Sequence, residues 1–227
     1  MMENGWSFID EYPDMIEDSV NSANFIRDLY IKADPKVNGK ATVPVLWDKV
    51  EETIVSNESA EIIRFLNTEF DHITGNDLDL YPEDLRAEID ELNEYIYPNI
   101  NNGVYRSGFA TTQEAYDKAV RELFSALDKI DARLETKDFL VGDRLTEADI
   151  RLFTTLVRFD LVYYSHFKCN LKMLKEYTNL QRYTKALYNH ELIKPTVNLG
   201  HIKTHYYYSQ RSINPTGVVP LGPELDF

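Results

Sequence analysis

The one thiol of this chain, Cys169, follows Lys168 and lies close to His166. A cation beside a thiol lowers its pKa and raises the thiolate fraction, which is the requirement for a nucleophilic cysteine. Glu58-Ser59 closes the polar run Ser56-Asn57-Glu58-Ser59, directly ahead of a helical pattern. The free N–H groups and dipole of a helix start attract a carboxylate, a serine hydroxyl adds a donor, and Glu58 can take an ammonium group. Simple capping is the plainer use of the same run, and a cap can also bind a ligand. Val43-Pro44 interrupts a β-branched stretch, where a proline cannot donate to a ladder. It therefore marks an edge strand or a special geometry such as a cis peptide. The histidines at 72, 166, 190, 201 and 205 offer one pair at ligand spacing, His201-x-x-x-His205, without a third ligand.

These groups need elements to hold them. NSANFIRDLYIKADP reads as a short helix closed by Asp34-Pro35, because a residue before proline disfavours the helical region. Residues 42–56 read as strand, polar reversal over 48–52, and strand, with Thr42, Val43, Val45, Thr53, Ile54 and Val55 favouring extension. Ser56 or Asn57 then caps a helix with Ile62, Ile63 and Leu66 on its buried face. From about residue 76 the strand signal disappears. Pro82 suits a first helical position, and Leu85, Ile89, Leu92 and Ile96 follow at helical spacing. Thr111-x-x-Glu114 is a capping-box pattern before a long helix with Ala119, Leu123, Leu127, Ile130 and Leu134 inward. Thr146-x-x-Asp149 is a second cap, which makes Asp149 a structural carboxylate and no acid–base group. More helix is expected at about 171–189 and 195–208, and RSINPTGVVPLGPELDF reads as an extended tail. The fold class is α+β: a partial thioredoxin-like αβ portion over 1–75 and an all-helical domain over 76–227.

The 227 residues carry a net charge of −14, which argues against a nucleic-acid or anionic-membrane partner. No run of about 18 apolar residues is present, so no membrane span is expected. A lone cysteine permits no intrachain disulfide, and the acidic N-terminus lacks the features of a secretory signal. These properties point to a cytoplasmic protein.

With VPV, NES and FLVGDRLTEADI in this order, the chain resembles the glutathione transferase superfamily. More narrowly it resembles the glutathionyl-hydroquinone reductases, or xi class, on NGWSF, TVPVLWDK, TIVSNESAEIIR, NNGVYRSGFA, TEADIRLFTTLVRFD, HFKCN and INPTG. The resemblance implies glutathione as cosubstrate, held by Trp6, Arg27, Val43, Pro44, Glu58 and Ser59. In such folds the proline equivalent to Pro44 is cis, and the residue before it pairs its backbone with the cysteinyl part of glutathione. Trp6 serves equally as plain core, and Arg27 as a surface cation balancing charge.

The same resemblance places an aromatic hydroquinone against Tyr105, Tyr163 and Tyr206. Tyr164 and Tyr207 remain rivals for the last two positions. A phenol hydroxyl can bond a hydroquinone oxygen while its ring packs on the ligand. Helical-domain homodimers are implied as well.

The family's reactive cysteine belongs to a Cys-Pro-Trp-Ala-His-Arg motif upstream of the equivalent of Asn4-Gly5-Trp6. The expectation is therefore that this polypeptide holds glutathione but supplies no catalytic residue, with Cys169 a structural feature. A non-catalytic binding or dimerisation module is the alternative. A conjugating glutathione transferase ranks lower, because Ser7 and Tyr12 do not fall at a predicted strand-to-helix junction.

Overall fold

The computed structural model describes residues 5–9, 15–225 and 227. The chain separates into two compact units, one ending at Leu78 and one running from Asp79 to Phe227. Tyr12 lies outside the described residues.

The first unit begins with an antiparallel bridge between Ser7 and Phe25, flanked by Phe8 N–H to Asn24 C=O (2.8 Å) and Ile26 N–H to Trp6 C=O (3.0 Å). Helix α1, Ile26–Ala33, follows and stops at Asp34, as the Asp34-Pro35 step requires. Strands β1, Leu46–Asp48, and β2, Thr53–Ser56, pair antiparallel in a two-stranded sheet. The first strand is shorter than 42–56 suggested. Residues 42–45 lie outside it: Pro44 has no N–H to give a ladder, and the Tyr30 and Asn57 side chains hold Thr42; the Val43–Pro44 peptide is cis. Helix α2, Ser59–Thr68, and the single turn α3, Asp71–Thr74, complete the unit.

The expected buried face of α2 is corrected. Ile62 and Ile63 are only half-buried and Leu66 is exposed, since two short strands offer too little surface to cover a helix. Its cap also differs: Glu58 holds the N-cap position, while the Ser56 hydroxyl accepts the Glu58 N–H from outside the helix.

The second unit is helical. Helix α4, Arg86–Ile96, passes through a π-helical segment, Tyr97–Asn101, into α5, Asn102–Gly108. Pro82 is not at the first helical position; it precedes a turn closed by Leu85 N–H to Pro82 C=O, at 3.0 Å. Leu80 C=O meanwhile accepts from Glu147 N–H at 2.7 Å, which anchors the entry to α4 against a later helix.

Helix α6, Gln113–Arg133, is capped by Thr112, whose hydroxyl accepts Ala115 N–H at 3.2 Å. The cap falls one residue after the Thr111 pattern because Thr112 is the last extended residue (φ −130°, ψ 152°). Its inward face is the expected one: Ala119, Leu123, Leu127, Ile130 and Leu134 are all buried.

Helix α7, Glu147–Arg158, continues into a second π-helical segment, Phe159–Tyr163. Helices α8, Thr178–Tyr188, and α9, Leu199–Ser209, are each preceded by a single 3₁₀ turn, Leu174–Glu176 and Lys194–Thr196. An irregular tail then packs through Ile213, Val219, Leu225 and Phe227.

Asp149 ties three parts of this unit together. Its fully buried carboxylate accepts from Leu140 N–H (2.8 Å), Thr146 N–H (2.8 Å), Thr146 Oγ1 (2.9 Å) and Tyr183 Oη (2.7 Å). Burial pushes this carboxyl up from its ordinary pKa, and the four bonds oppose that rise. No helix among the described residues is long and apolar enough to cross a membrane.

Candidate functional site

In the first unit one phenol holds two candidate segments together. Tyr30, on α1, donates its hydroxyl to Thr42 C=O (3.0 Å) and lies 3.3 Å from Thr42 N–H. Asn57 Nδ2 donates both to Tyr30 Oη (3.0 Å) and to Thr42 Oγ1 (3.2 Å). The chain before Val43-Pro44 is thereby fastened to the chain before Glu58-Ser59. Val43 is exposed, and among the described residues no hydrogen bond occupies its backbone N–H or C=O. It therefore presents the free edge that pairing with an extended peptide needs.

At the start of α2, Glu58 C=O accepts the N–H groups of Glu61 and Ile62, both at 3.0 Å. The N–H groups of Ser59 and Ala60 lie ahead of the first intrahelical bond and are exposed. Ser56 Oγ donates to Glu61 Oε2 at 2.8 Å, which occupies one acidic group of the first turn. The Glu58 carboxylate and the Ser59 hydroxyl stay open to solvent. The result is an anion-seeking helix end beside an anionic side chain, suited to a ligand carrying a carboxylate next to an ammonium.

Trp6 and Arg27 are brought together by the 6–8/24–26 pairing, with Trp6 partly exposed. Arg27 lies over the Phe25 ring at 5.1 Å and 4.0 Å from Asp28, and is half-exposed. Helix α1 links the two sets, carrying Arg27 in its first turn and Tyr30 one turn later.

In the second unit Tyr105, Tyr163 and Tyr206 converge. The Tyr206 oxygen lies 2.6 Å from Tyr105 Oη and 2.8 Å from Tyr163 Oη. Tyr163 and Tyr206 are buried, whereas Tyr105 is 38% exposed. Burial, reinforced by Tyr206 and Tyr105 at Tyr163 and by Tyr105 at Tyr206, drives both pKa values well up against a smaller opposing effect of the Tyr163 bond on Tyr206, so both remain protonated. The rivals lie elsewhere: Tyr207 bonds Ser165 Oγ and packs on His166 at 4.7 Å, and Tyr164 is absent from the cluster.

Phe167 is wedged among the three rings. It stacks on Tyr163 (5.3 Å, 20°) and meets Tyr105 (5.3 Å, 62°) and Tyr206 (5.7 Å, 79°) edge-on. Room for it comes from Gly108, where an added Cβ would fall 2.3 Å from Phe167 Cγ. The π-helical segments set the phase of the phenols. Tyr163 closes one of them, marked by Tyr164 N–H to Phe159 C=O at 2.8 Å, and Tyr105 follows the other by one turn. Asp160 pins the second segment by accepting Leu174 N–H (2.5 Å) and Lys175 N–H (3.1 Å).

Cys169 is fully buried, its sulfur lying 3.9 Å from Val104 C=O and 3.8 Å from Phe167 C=O. Burial pushes the thiol up to about 12, and the Lys168 cation offsets little of that. It is no nucleophile in this fold. Ser7 sits in the first bridge, its Oγ accepting Ile9 N–H at 3.0 Å, away from any strand-to-helix junction. Sequence reasoning missed Tyr30, Phe167 and Gly108, and it took Asn57 as a candidate cap where the side chain instead bonds Tyr30 and Thr42. No cluster of three or more metal-ligating side chains occurs among the described residues.

Residues 3–69 match the family described as Glutathione S-transferase, N-terminal domain, and residues 113–186 match Glutathione S-transferase, C-terminal domain. The chain is 54% identical to glutathionyl-hydroquinone reductase PcpF of Sphingobium chlorophenolicum, over 98% of its own length and 71% of that protein. It is 50% identical to glutathionyl-hydroquinone reductase YqjG of Escherichia coli, covering 100% of this chain and 69% of that one. Among solved structures, the glutathione transferase Xi of Phanerochaete chrysosporium superposes with a TM-score of 0.94 at 52% identity, covering 98% of this chain and 77% of that one. The glutathione-bound YqjG structure gives 0.96 at 50% identity, with 100% and 73% covered. With a thioredoxin-like first unit and a helical second unit, the chain belongs to the glutathione transferase superfamily, in the Xi class of glutathionyl-hydroquinone reductases.

Proposed function

We propose that this chain binds glutathione through its first unit and an aromatic hydroquinone through its tyrosine cluster, as a protein of the glutathionyl-hydroquinone reductase type. The observation that carries the reading is the convergence of Tyr105 and Tyr163 on the Tyr206 hydroxyl, at 2.6 and 2.8 Å. It occurs in a chain 54% identical to a protein named for that activity. The Val43 backbone pairs with the cysteinyl part of glutathione, next to Pro44. Glu58 takes the α-ammonium of the γ-glutamyl group, and Ser59 with the α2 N–H groups takes its carboxylate. Trp6 forms a wall and Arg27 meets the glycyl carboxylate.

In the family reaction a cysteine thiolate attacks the sulfur of a glutathionyl-hydroquinone. The C–S bond breaks, the ring carbon takes a proton, and a protein–glutathione disulfide forms. A second glutathione then displaces the cysteine, leaving oxidised glutathione and the free hydroquinone. Within these 227 residues Cys169 is the one cysteine, and its burial keeps it from that role. We therefore expect the polypeptide by itself to bind both ligands without turnover. The family's dimeric state is carried over to it as well.

Calorimetric titration with glutathione tests the first half. Binding should weaken at least about tenfold in Glu58→Ala and in Ser59→Ala, in line with the loss of one charge-assisted hydrogen bond each. No binding by the wild-type chain at millimolar glutathione would overturn the reading. Turnover of a glutathionyl-hydroquinone that survives Cys169→Ser would overturn the non-catalytic part. A monomer near 26.4 kDa in light scattering would remove the dimer.

A further inference from the structure

The tyrosine cluster has a direction. Three hydroxyls carry three protons, and two hydrogen bonds join them, so one proton points out of the chain of oxygens. Tyr163 decides which one. Its side chain is 2% exposed, and among the described residues its hydroxyl meets no other polar atom than Tyr206 Oη. A buried O–H left without an acceptor carries an uncompensated desolvation cost, so Tyr163 donates to Tyr206. The Tyr206 oxygen then accepts from Tyr163, and its own proton goes to Tyr105, the other oxygen within reach. Tyr105 accepts in turn, and its proton faces outward at the partly exposed end.

We propose that Tyr163, Tyr206 and Tyr105 form a one-way hydrogen-bond relay that fixes the Tyr105 hydroxyl as an outward donor and selects aromatic ligands through an acceptor oxygen, a phenolate or a quinone oxygen, over an un-ionised phenol. Each donated bond polarises the next, so the outermost O–H is a stronger donor than an isolated phenol. The Tyr105 oxygen already accepts from Tyr206, which makes it a poorer acceptor for a ligand O–H. Tyr163 and Tyr206 are positioning residues here; Tyr105 is the group that touches the ligand. Among the described residues the charged or titratable groups beside the cluster include Arg158, His205 and His166, the last stacked on Phe167 at 5.4 Å. Arg158 places its cation near Tyr163 and Tyr206, and the His205 ring lies 5.1 Å from that of Tyr206. The Arg158 charge favours a bound anion in the same sense as the relay.

The inference rests on the tyrosine half of the proposed function, and one probe separates the two. 4-Nitrophenol reports its own ionisation through the visible absorbance of its phenolate. Titrated against the full chain across pH, it should bind with its pKa lowered by about one unit, a tenfold preference for phenolate, its proton passing to solvent. Tyr206→Phe removes the donor to Tyr105 and should abolish most of that preference. Tyr163→Phe leaves Tyr206 free to accept from Tyr105 instead, and should reduce it by a smaller amount. Tyr105→Phe should weaken binding of the phenolate most. Binding with the pKa unchanged or raised overturns the relay while leaving the site, and so does a lowered pKa that Tyr206→Phe and Tyr163→Phe do not alter. No binding of 4-nitrophenol to the wild-type chain overturns the tyrosine site itself. A wild-type pKa that is unchanged or raised overturns the relay even where a variant fails to fold.

Discussion

Gly108→Ala should destabilise the helical unit, although the same change in a helix normally stabilises. Gly108 closes α5 without a positive φ, so its backbone accepts alanine, and replacing glycine in a helix is worth up to about 1 kcal/mol. The added methyl would lie 2.3 Å from Phe167 Cγ, 2.4 Å from Cδ1 and 2.8 Å from Cβ. A flexible chain end could move aside, but this ring is fully buried and clamped by three tyrosines, and its Cβ is among the overlapping atoms. Overpacking of this kind costs about 1–3 kcal/mol, and with backbone-proximal atoms involved the upper end applies. The net loss is therefore roughly 2 kcal/mol.

Denaturant unfolding read by near-ultraviolet circular dichroism of the tyrosines follows the second unit, since Trp6 and Trp47 both lie in the first. In a Phe167→Ala background the two nearest atoms, Cγ and Cδ1, are gone and only Cβ remains to shift, and Gly108→Ala should cost under about 0.5 kcal/mol. The coupling would then fall at about 1.5 kcal/mol, inside the range for contacting residues. A Gly108→Ala protein as stable as wild type, or an equal cost in both backgrounds, would refute the wedge.

Three other outcomes can be measured on the same protein. Asp149→Ala strips acceptors from Leu140 N–H, Thr146 N–H and Tyr183 Oη, at about 1–3 kcal/mol each, so a loss above about 4 kcal/mol is expected in equilibrium unfolding. Burial, with a smaller push from the Lys168 cation, holds the His166 imidazole below its ordinary 6.5 against the opposing Gln210 bond. The folded state then binds fewer protons than the unfolded one; the stability it contributes is complete above pH 6.5 and is lost as pH falls from there through the lower folded-state pKa. Thermal melts of wild type and His166→Gln across that window should differ in slope, the variant being flatter. Cys169 should resist a thiol-specific reagent in the native chain and react fully after denaturation, because it is buried with its pKa near 12; rapid native labelling would contradict its placement.

Much of the second unit was legible because its helices carry strong apolar periodicity. Ala119 to Leu134 repeat at helical spacing, and Thr146 to Asp149 form a cap whose partners are local. The π-helical segments were not legible, since an extra residue in a helical turn leaves no mark in composition. That is why sequence alone could not separate Tyr163 from Tyr164: the choice depends on a phase set by hydrogen bonds, not by residue type. In the first unit proline chemistry left Val43-Pro44 as an edge strand or a special geometry such as a cis peptide, and the structure has the cis form; the α2 start was placed to within two residues, the expected caps Ser56 and Asn57 giving way to Glu58. The exposure of Leu66 could not be read, because burial of a helix face depends on how much sheet lies beneath it. Tyr30 escaped notice for a related reason. A tyrosine on a short amphipathic helix looks the same whether its hydroxyl meets water or ties Thr42 to Asn57.

The two π-helical segments also bear on how such a pocket tolerates change. Each adds one residue to a continuous helical run, and one residue of an α-helix corresponds to about 100° of rotation. Losing a single codon within 159–163 would turn the side chains on one side of the deletion by about that angle relative to the other. Tyr163 would swing away from the Tyr206 hydroxyl while the helix itself remained intact. A deletion that a stability screen tolerates would thus dismantle the phenol cluster, so the number of residues in these runs is constrained more tightly than the identity of most of them.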